Sequence, residues 1–407
     1  MARQYESTHP WLTFKLPELT TEWRTWQRFG EASSKSEHLA GVAINPRVAH
    51  SLAAIYLAKG AHASTAIEGN SLTESQVLAL VEGGAGVVPP SLDYQEAEVR
   101  NLLNVLREID DAIVRGQRLP LNAQRICQLN LAILDGTDIG NDVVPGEVRA
   151  HSVTVGAGRY RGAPAEDCQY LLEALCHWLN GPDFNSDDPE LRFALILTKA
   201  VMAHVYLAWI HPFGDGNGRT ARAVESQILS QSGRVPQPAT NLLSDHYNKT
   251  RDRYYQHLDS ASRNSPSDTR PLLAYAVQGF VDGLREQIAM IAREQIKVAW
   301  INYVYSTMDS EPNTATAHRR RKLVLALRPH KPTPTSAVRA LSGPMAIMFE
   351  GKGERSVIRD LRALERLGLV THHGHSGWTS NQSAIEAFKP PVFSDGASEP
   401  RRSGRAT

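Results

Sequence analysis

Hydrophobic residues recur at helical spacing along most of the chain. Between Asp93, which is placed to cap a helix, and Gly116, apolar residues such as Val99, Leu102 and Leu106 fall on one helical face. The same kind of spacing predicts further helices at 121–134, 164–180, 188–209, 244–262 and 271–309. The pattern therefore predicts a mainly α protein with an all-helical core.

Residues 147–163 break this helical pattern. The run H-S-V-T-V alternates apolar and polar residues, and the following G-A-G-R can reverse the chain. We therefore expect a β-hairpin here, immediately before the helix at 164–180, with Val153 and Val155 on its first strand.

A further helix is predicted after Asn45 and Pro46, which are typical of a helix cap and first turn. Its apolar spacing continues for about five turns into H-A-S-T-A-I-E-G-N at 62–70. Ser64 and Glu68 are four residues apart and share a face, and Gly69 can end the helix.

The segment from Asn313 to Ser380 is strongly basic. It contains twelve Lys or Arg and four Asp or Glu, a net charge of +8 in a chain whose total is +1. Helices are predicted at 333–342 and 354–367, and the glycine-rich stretch 369–379 alternates like two short strands.

The helix at 354–367 has an apolar side and a basic side. Val357, Leu361, Leu364 and Leu367 form the first, and Arg355, Arg359, Arg362 and Arg366 form the second. The order of elements resembles a winged helix-turn-helix domain, with this helix as recognition helix and 369–379 as wing. Such an arginine stripe can bind nucleic-acid phosphates through 313–380, or it can be the face of a protein-docking module; the pattern leaves both open.

Composition narrows the class of protein. With 407 residues, 42% hydrophobic and 21% charged, we expect a soluble protein of two or three domains. No apolar run looks long enough to span a membrane and no secretory signal is visible, so no membrane partner is expected. Three cysteines without metal-type spacing favour reduced thiols and a cytoplasmic protein.

The richest chemistry lies in the run from His211 to Arg222, which reads H-P-F-G-D-G-N-G-R-T-A-R. Gly214, Gly216 and Gly218 allow positive φ angles and close approach of a ligand to the backbone. The residues that follow predict a helix ended by Gly233. A glycine turn before a helix directs free N–H groups and the positive end of the helix dipole at one point, which indicates an anion site.

This run resembles the signature of Fic-domain proteins, H-x-F-x-[D/E]-G-N-G-R-x-x-R, at every specified position. The resemblance implies transfer of a nucleoside monophosphate, usually AMP from ATP, to a protein hydroxyl. His211 would be the general base, and Asp215 would hold Mg²⁺. The remaining residues would bind the phosphates of ATP: Gly214, Gly216, Asn217, Gly218, Arg219, Thr220 and Arg222.

Two other segments also resemble elements of the Fic family. Ser64 and Glu68 are similar to its inhibitory motif, [S/T]-x-x-x-E-[G/N], which implies that Glu68 pairs with Arg222 and blocks the productive γ-phosphate position. The hairpin at 147–163 resembles the family's flap, which positions a target protein by strand addition. This would place Val153 and Val155 over the active site.

These observations predict four regions. They are an N-terminal region with the inhibitory helix at 1–90, a Fic core at 91–310, a winged-helix-like domain at 311–388 and a disordered tail at 389–407. The main expectation is a self-inhibited protein adenylyltransferase. The alternatives are a nucleotide-sensing DNA-binding regulator, a Fic enzyme with UMP or phosphocholine as cargo, and an enzyme that removes AMP. The oligomeric state is open, a homodimer included.

Overall fold

The computed structural model describes residues 3–84, 87–155, 160–263, 268–312 and 314–386. The chain divides into two compact units, Met1–Met290 and Ile291–Thr407, called unit 1 and unit 2 below. The predicted mainly α class is confirmed. The predicted disordered tail at 389–407 lies outside the described residues.

Several helices of unit 1, among them α5 and α6, lie where the apolar spacing predicted them. The helices of this unit are α1 (Gln4–Thr8), α2 (Trp23–Ala40), α3 (Pro46–Ala66), α4 (Glu74–Val81), α5 (Asp93–Val114), α6 (Ala123–Leu134), α7 (Ala165–Leu179), α8 (Pro189–Ile210), α9 (Asn217–Ser230), α10 (Leu242–Lys249) and α11 (Arg251–Arg263), followed by α12 (Arg270–Thr307). Side-chain caps explain two of the starts. Asn45 Oδ1 accepts the N–H of Arg47 at 2.9 Å before α3, and Asn122 Oδ1 accepts the N–H of Arg125 at 2.8 Å before α6.

Helices α8 and α9 lie at the centre of unit 1 and pack directly against each other. Phe29, Ala58 and Ile67 from the first 90 residues share one core with Leu102 and Leu207. The predicted N-terminal region and the predicted Fic core are therefore packed together, and α3 runs against α9. This packing brings the predicted inhibitory helix to the motif helix.

Helix α8 corrects one expectation from the sequence. The stretch Leu191–Ile210 is long and apolar enough to cross a membrane by length and composition, although no such run was expected. In this fold, 78% of that window is buried inside the protein. Such burial is typical of a core helix. Helix α8 ends at Ile210, immediately before His211.

The predicted helix at 244–262 is interrupted. Helix α10 ends at Lys249 and α11 begins at Arg251. Between them, Thr250 has a non-helical ψ of 38°, and its hydroxyl donates to the carbonyl of His246 at 2.7 Å. Such a bond from a side chain to the backbone competes with continuation of the helix. Helices α1, α2 and α4 were not predicted from the sequence.

Unit 2 contains α13 (Ala315–Ala326), α14 (Gly343–Met348), α15 (Glu354–Arg366) and the strands β3 (Val370–His372) and β4 (Trp378–Ser380). The strands pair antiparallel, Thr371 opposite Thr379, as the alternation at 369–379 predicted. The predicted helix at 333–342 is a short 3-10 turn at Thr335–Ala340, and α13 and α14 were not predicted. The core of unit 2 includes Trp300, Phe349, Leu361 and Trp378.

An ion cluster ties α13 to α15. The carboxylate of Asp360 is fully buried, and its two oxygens accept from Arg319 at 2.8 Å and from Arg320 at 3.1 Å. The single negative charge of Asp360 offsets one of these two positive charges, and Arg320 also pairs with Glu311 at 3.6 Å. The winged-helix assignment stays a prediction.

Candidate functional site

Of the three glycines in the loop between α8 and α9 and in the first turn of α9, Gly216 has a positive φ, whereas Gly214 and Gly218 do not. Gly216, the N-cap of α9, has φ +73°, in the left-handed region that glycine adopts readily. The amide of Asn217 closes the loop, since its Oδ1 accepts from the N–H of Phe213 at 2.9 Å and its Nδ2 donates to the carbonyl of Phe213 at 2.8 Å. Asn217 thus shapes the loop, and its contact with a phosphate stays a prediction.

His211 also has a left-handed backbone, with φ +52°. Its half-buried ring places Nδ1 at 3.4 Å from the carbonyl of Ala208. Because a carbonyl only accepts, this contact favours the tautomer with a proton on Nδ1, which leaves the lone pair of Nε2 to accept a proton. Burial lowers the pKa of His211 to about 4, so the ring is neutral near pH 7.

The two motif arginines are buried and held by different partners. Arg219 forms ion pairs with Glu98 and with Asp215, each at 3.2 Å. Arg222 donates through Nε to the hydroxyl of Ser64 at 2.8 Å and through Nη2 to the Ser64 carbonyl at 2.7 Å. Glu98 was not singled out from the sequence, where one acidic residue in a polar helix pattern carries no signal.

Glu68 lies just beyond the end of α3, which ends at Ala66, whereas the sequence predicted a helix that continues to Gly69. Its Oε1 accepts from Arg222 Nη2 at 2.7 Å. The charge of Arg222 and this hydrogen bond outweigh burial, which acts in the other direction, and hold the pKa of Glu68 below its usual range.

The same carboxylate rests on the first turn of α9. A methyl group at Gly218 would collide with Oε1 of Glu68, so the glycine is required for this close approach. A carboxylate at a helix N-terminus is stabilised by the helix dipole. Glu68 therefore occupies part of the surface on which the sequence predicted anion binding.

Asn130 is a second residue that the sequence did not single out. Its fully buried amide donates to the carbonyl of Asp215 at 3.0 Å and to the Thr220 hydroxyl at 3.2 Å, and it accepts from the N–H of Gly146 at 2.9 Å. It connects α6, the loop before the hairpin and the motif helix. Thr220, predicted to bind phosphate, is buried in this contact.

The predicted hairpin is present but short. Strands β1 (Thr154–Val155) and β2 (Tyr160–Arg161) pair antiparallel, and the N–H of Gly162 donates to the carbonyl of Val153 at 3.2 Å. The predicted G-A-G-R turn at 156–159 and the side chain of Val155 lie outside the described residues. His9, also not singled out from the sequence, contacts the β2 carbonyl of Arg161 through Nε2 at 2.9 Å.

The base of this hairpin adjoins His211. A methyl group at Gly162 would lie 3.2 Å from Cβ of His211 and 2.8 Å from a guanidinium nitrogen of Arg149. The structure thus brings together His211, the first turn of α9, the hairpin base and Glu68. Among the described residues, no three or more His, Cys, Asp or Glu side chains are grouped so that they could hold a metal ion.

His204, on the apolar face of α8, is fully buried. Its Nε2 lies 2.8 Å from the hydroxyl of Tyr254, and its Nδ1 lies 3.3 Å from the carboxylate of Glu225. These contacts explain how a polar ring is accommodated in the core.

Part of this chain is similar to known proteins. Residues 120–229 match the model of the Fic/DOC family. The chain is 29% identical over 215 residues to protein adenylyltransferase fic-1 of Caenorhabditis elegans, a match that covers 53% of this chain and 38% of that protein. It is 30% identical over 212 residues to protein adenylyltransferase Fic of Drosophila mojavensis, covering 52% of this chain and 37% of that protein. The match therefore spans less than half the length of these relatives.

Solved structures share the fold. A Fic family protein from Desulfovibrio desulfuricans is similar with a TM-score of 0.54 and 20% identity, over 85% of this chain and 92% of that chain. Fic-1 from C. elegans, residues 134–508, is similar with a TM-score of 0.51 and 22% identity, over 67% of this chain and 74% of that one.

Proposed function

Because this chain contains a domain of the Fic/DOC family, we propose that the protein is an adenylyltransferase that moves AMP from ATP to a Ser, Thr or Tyr hydroxyl of a target protein or of itself. The observation that carries the proposal is the position of His211, beside the hairpin base and shortly before the start of α9, where the sequence predicts anion binding. We further propose that the protein acts in the cytoplasm; its three cysteines are free, and burial raises the pKa of Cys168 to about 11.

In this reaction the hydroxyl oxygen of the target attacks the α-phosphorus of ATP. A bond forms between them, the bond from the α-phosphorus to the bridging oxygen of the β-phosphate breaks, and pyrophosphate leaves. The proton of the hydroxyl passes to Nε2 of His211. N–H groups at the start of α9, together with Arg219 and Arg222, would stabilise the negative charge on the phosphates.

Asp215 is the residue that would hold Mg²⁺. It supplies one carboxylate beside the start of α9, and Mg²⁺ in phosphate-transfer sites is commonly held by one or two carboxylates together with substrate phosphates. The chemistry that the ion supplies when bound is neutralisation of the triphosphate. Asp215 is also paired with Arg219, so its charge would be shared between the ion and the guanidinium.

We expect Asp215→Ala to lose Mg²⁺-dependent transfer, because a methyl group cannot replace a carboxylate ligand. Asp215→Asn retains a side-chain oxygen that can accept hydrogen bonds within the loop, but it lowers the affinity for Mg²⁺. This variant should therefore need more Mg²⁺ or lose activity. Transfer measured against Mg²⁺ concentration tests this, with Asp138→Ala as a control at an exposed carboxylate. Unchanged Mg²⁺ dependence in Asp215→Ala would show that this carboxylate is not the ligand.

We propose that the basal state is inhibited. Glu68 neutralises Arg222 and covers the first turn of α9, so the γ-phosphate would have to compete with a bound carboxylate for the same cation. Ser64 strengthens the block, since its hydroxyl and carbonyl hold the same guanidinium.

The identity of the cargo is tested directly. Wild type and Glu68→Gly are incubated with labelled ATP, UTP or CDP-choline, Mg²⁺ and cell lysate, and labelled proteins are identified. We expect label from ATP, stronger in Glu68→Gly. Label from UTP or CDP-choline alone would change the cargo, and loss of pre-formed AMP label would indicate the removal reaction.

The target would dock at the hairpin 147–163 and would form main-chain hydrogen bonds with β1. Val153 would then lie beside the active site. Unit 2 offers a second surface. The four arginines of α15 are exposed, and Ile358, 41% exposed, lies on the same helix face. Arginine mixed with exposed aliphatic side chains is more typical of protein interfaces than of phosphate tracks, so we propose that this face docks an acidic target protein.

Reversing the charge at Arg355, Arg359, Arg362 and Arg366 should therefore lower labelling of the native target while self-labelling persists. Reversal at exposed Lys322 and Arg328 of the same unit is the control. The alternative, a DNA-binding regulator, predicts instead a nanomolar DNA complex of the full chain that weakens steeply with salt and disappears in the fourfold variant. Finding that complex would contradict the docking proposal.

A further inference from the structure

Arg149 precedes strand β1 and is buried beside His211. Its side chain donates to backbone carbonyls on several segments: to His211 through Nε at 2.7 Å, to His151 through Nη1 at 2.7 Å and to Ala163 through Nη2 at 2.5 Å. Its own N–H donates to the carbonyl of Pro212 at 2.9 Å. One residue therefore joins both arms of the hairpin to the loop that carries His211.

The backbone of His211 needs such support. A non-glycine residue with a positive φ is strained by about 1–2 kcal/mol, and it keeps this conformation only where its surroundings determine it. Arg149 holds the two peptide carbonyls that directly follow the strained Cα, those of His211 and Pro212. A planar guanidinium with five donors can satisfy several fixed carbonyls at once, whereas a lysine ammonium cannot match this fork.

The glycine at 162 supports the same assignment. Its missing side chain lets the second hairpin arm approach both the guanidinium of Arg149 and Cβ of His211. The hairpin, the guanidinium and the imidazole are thus packed without room for a methyl group between them. A movement of the hairpin base would be transmitted to His211 through these contacts.

The charge of Arg149 acts on His211 as well. Burial is the main cause of the low pKa of His211, and the positive charge of Arg149 lowers it further. The carboxylates of Glu68 and Asp215 act in the opposite direction. Arg149 therefore helps to keep the ring unprotonated while it fixes the ring's position.

We infer that Arg149 is a positioning residue, which aligns His211 with the hairpin that presents the target hydroxyl. The inference rests on the proposed transfer reaction. A residue with a purely structural role would change stability alone. A positioning residue lowers kcat at constant folded fraction, because a misplacement of about 1 Å can cost about 100-fold in rate.

The test compares Arg149→Lys and Arg149→Gln in a Glu68→Gly background, with Arg125→Lys as control. Arg125 is also a buried arginine of unit 1, but its bonds go to Gln227 and Glu108. We measure the melting temperature, and kcat and KM for ATP per folded protein. Both Arg149 variants should lose about 100-fold in kcat with KM for ATP within about threefold, whereas Arg125→Lys should change stability only.

A second measurement does not depend on activity. The pKa of His211 is followed by NMR in the same variants. It should stay low in Arg149→Lys, which keeps the charge, and rise by at least about 0.5 pH unit in Arg149→Gln. If Arg149→Gln leaves both kcat per folded protein and the His211 titration unchanged, the inference is wrong. If the parent transfers no AMP, the proposed function fails, and the NMR titration still decides whether Arg149 acts on His211.

Discussion

Replacing His211 with alanine is expected to abolish AMP transfer while ATP binding stays close to that of the parent protein. The imidazole acts on the incoming hydroxyl, whereas the triphosphate would be held by the start of α9 and by Arg219 and Arg222. Loss of a general base costs about 10²–10⁴-fold in rate. The check is label transfer from ATP, together with calorimetric ATP binding, in a Glu68→Gly background.

The exposed His177 of α7 provides the matched control, and His177→Ala should transfer normally. The pH profile gives an independent check. Since the pKa of His211 is lowered to about 4, the base is already unprotonated throughout the neutral range. Titration of His211 should therefore not change the transfer rate near neutral pH. The rate should fall only as the pH drops towards 4. Undiminished transfer by His211→Ala would remove the imidazole from the mechanism.

Replacing Glu68 with glycine is expected to raise transfer by about tenfold or more, which corresponds to at least about 1.4 kcal/mol of relieved competition. The change frees the Arg222 guanidinium for the γ-phosphate and removes a negative charge from the first turn of α9. Self-labelling with ATP should show the gain most directly. Because the pKa of Glu68 lies below its usual range, the block should persist throughout neutral pH and weaken only in acid.

Two further variants separate the loss of the Glu68 charge from the effect that a new glycine has on the backbone. Glu68→Gln keeps the side-chain length and should give part of the gain. Glu82→Gly removes an exposed charge at the end of α4 and should give none. Adding Arg222→Ala to Glu68→Gly should cancel the gain, since the freed cation is then absent. A double variant as active as Glu68→Gly alone would show that the two residues do not act as a pair.

The sequence alone predicted the mainly α fold and the composition of the site. Apolar spacing is a local property, so it placed α5, α6 and α9 within a few residues of their ends. The run from His211 to Arg222 is contiguous, so its loop and helix could also be predicted from neighbouring residues. One helix was predicted at 244–262, where the structure has α10 and α11 with Thr250 between them. The helix predicted at 188–209 is present as α8, but the membrane-spanning length of its apolar run was missed.

What the tertiary structure decided are the contacts between segments far apart in the chain. Glu68 reaches Arg222 across 154 residues, and the sequence suggested that pair only through a family resemblance. Nothing in the sequence indicated that Asn130 would hold the loop at Asp215, or that Arg149 would bind the carbonyls around His211. The physical reason is that a single polar side chain has no periodicity, so its partners are determined only when the packing of the helices brings their backbones together.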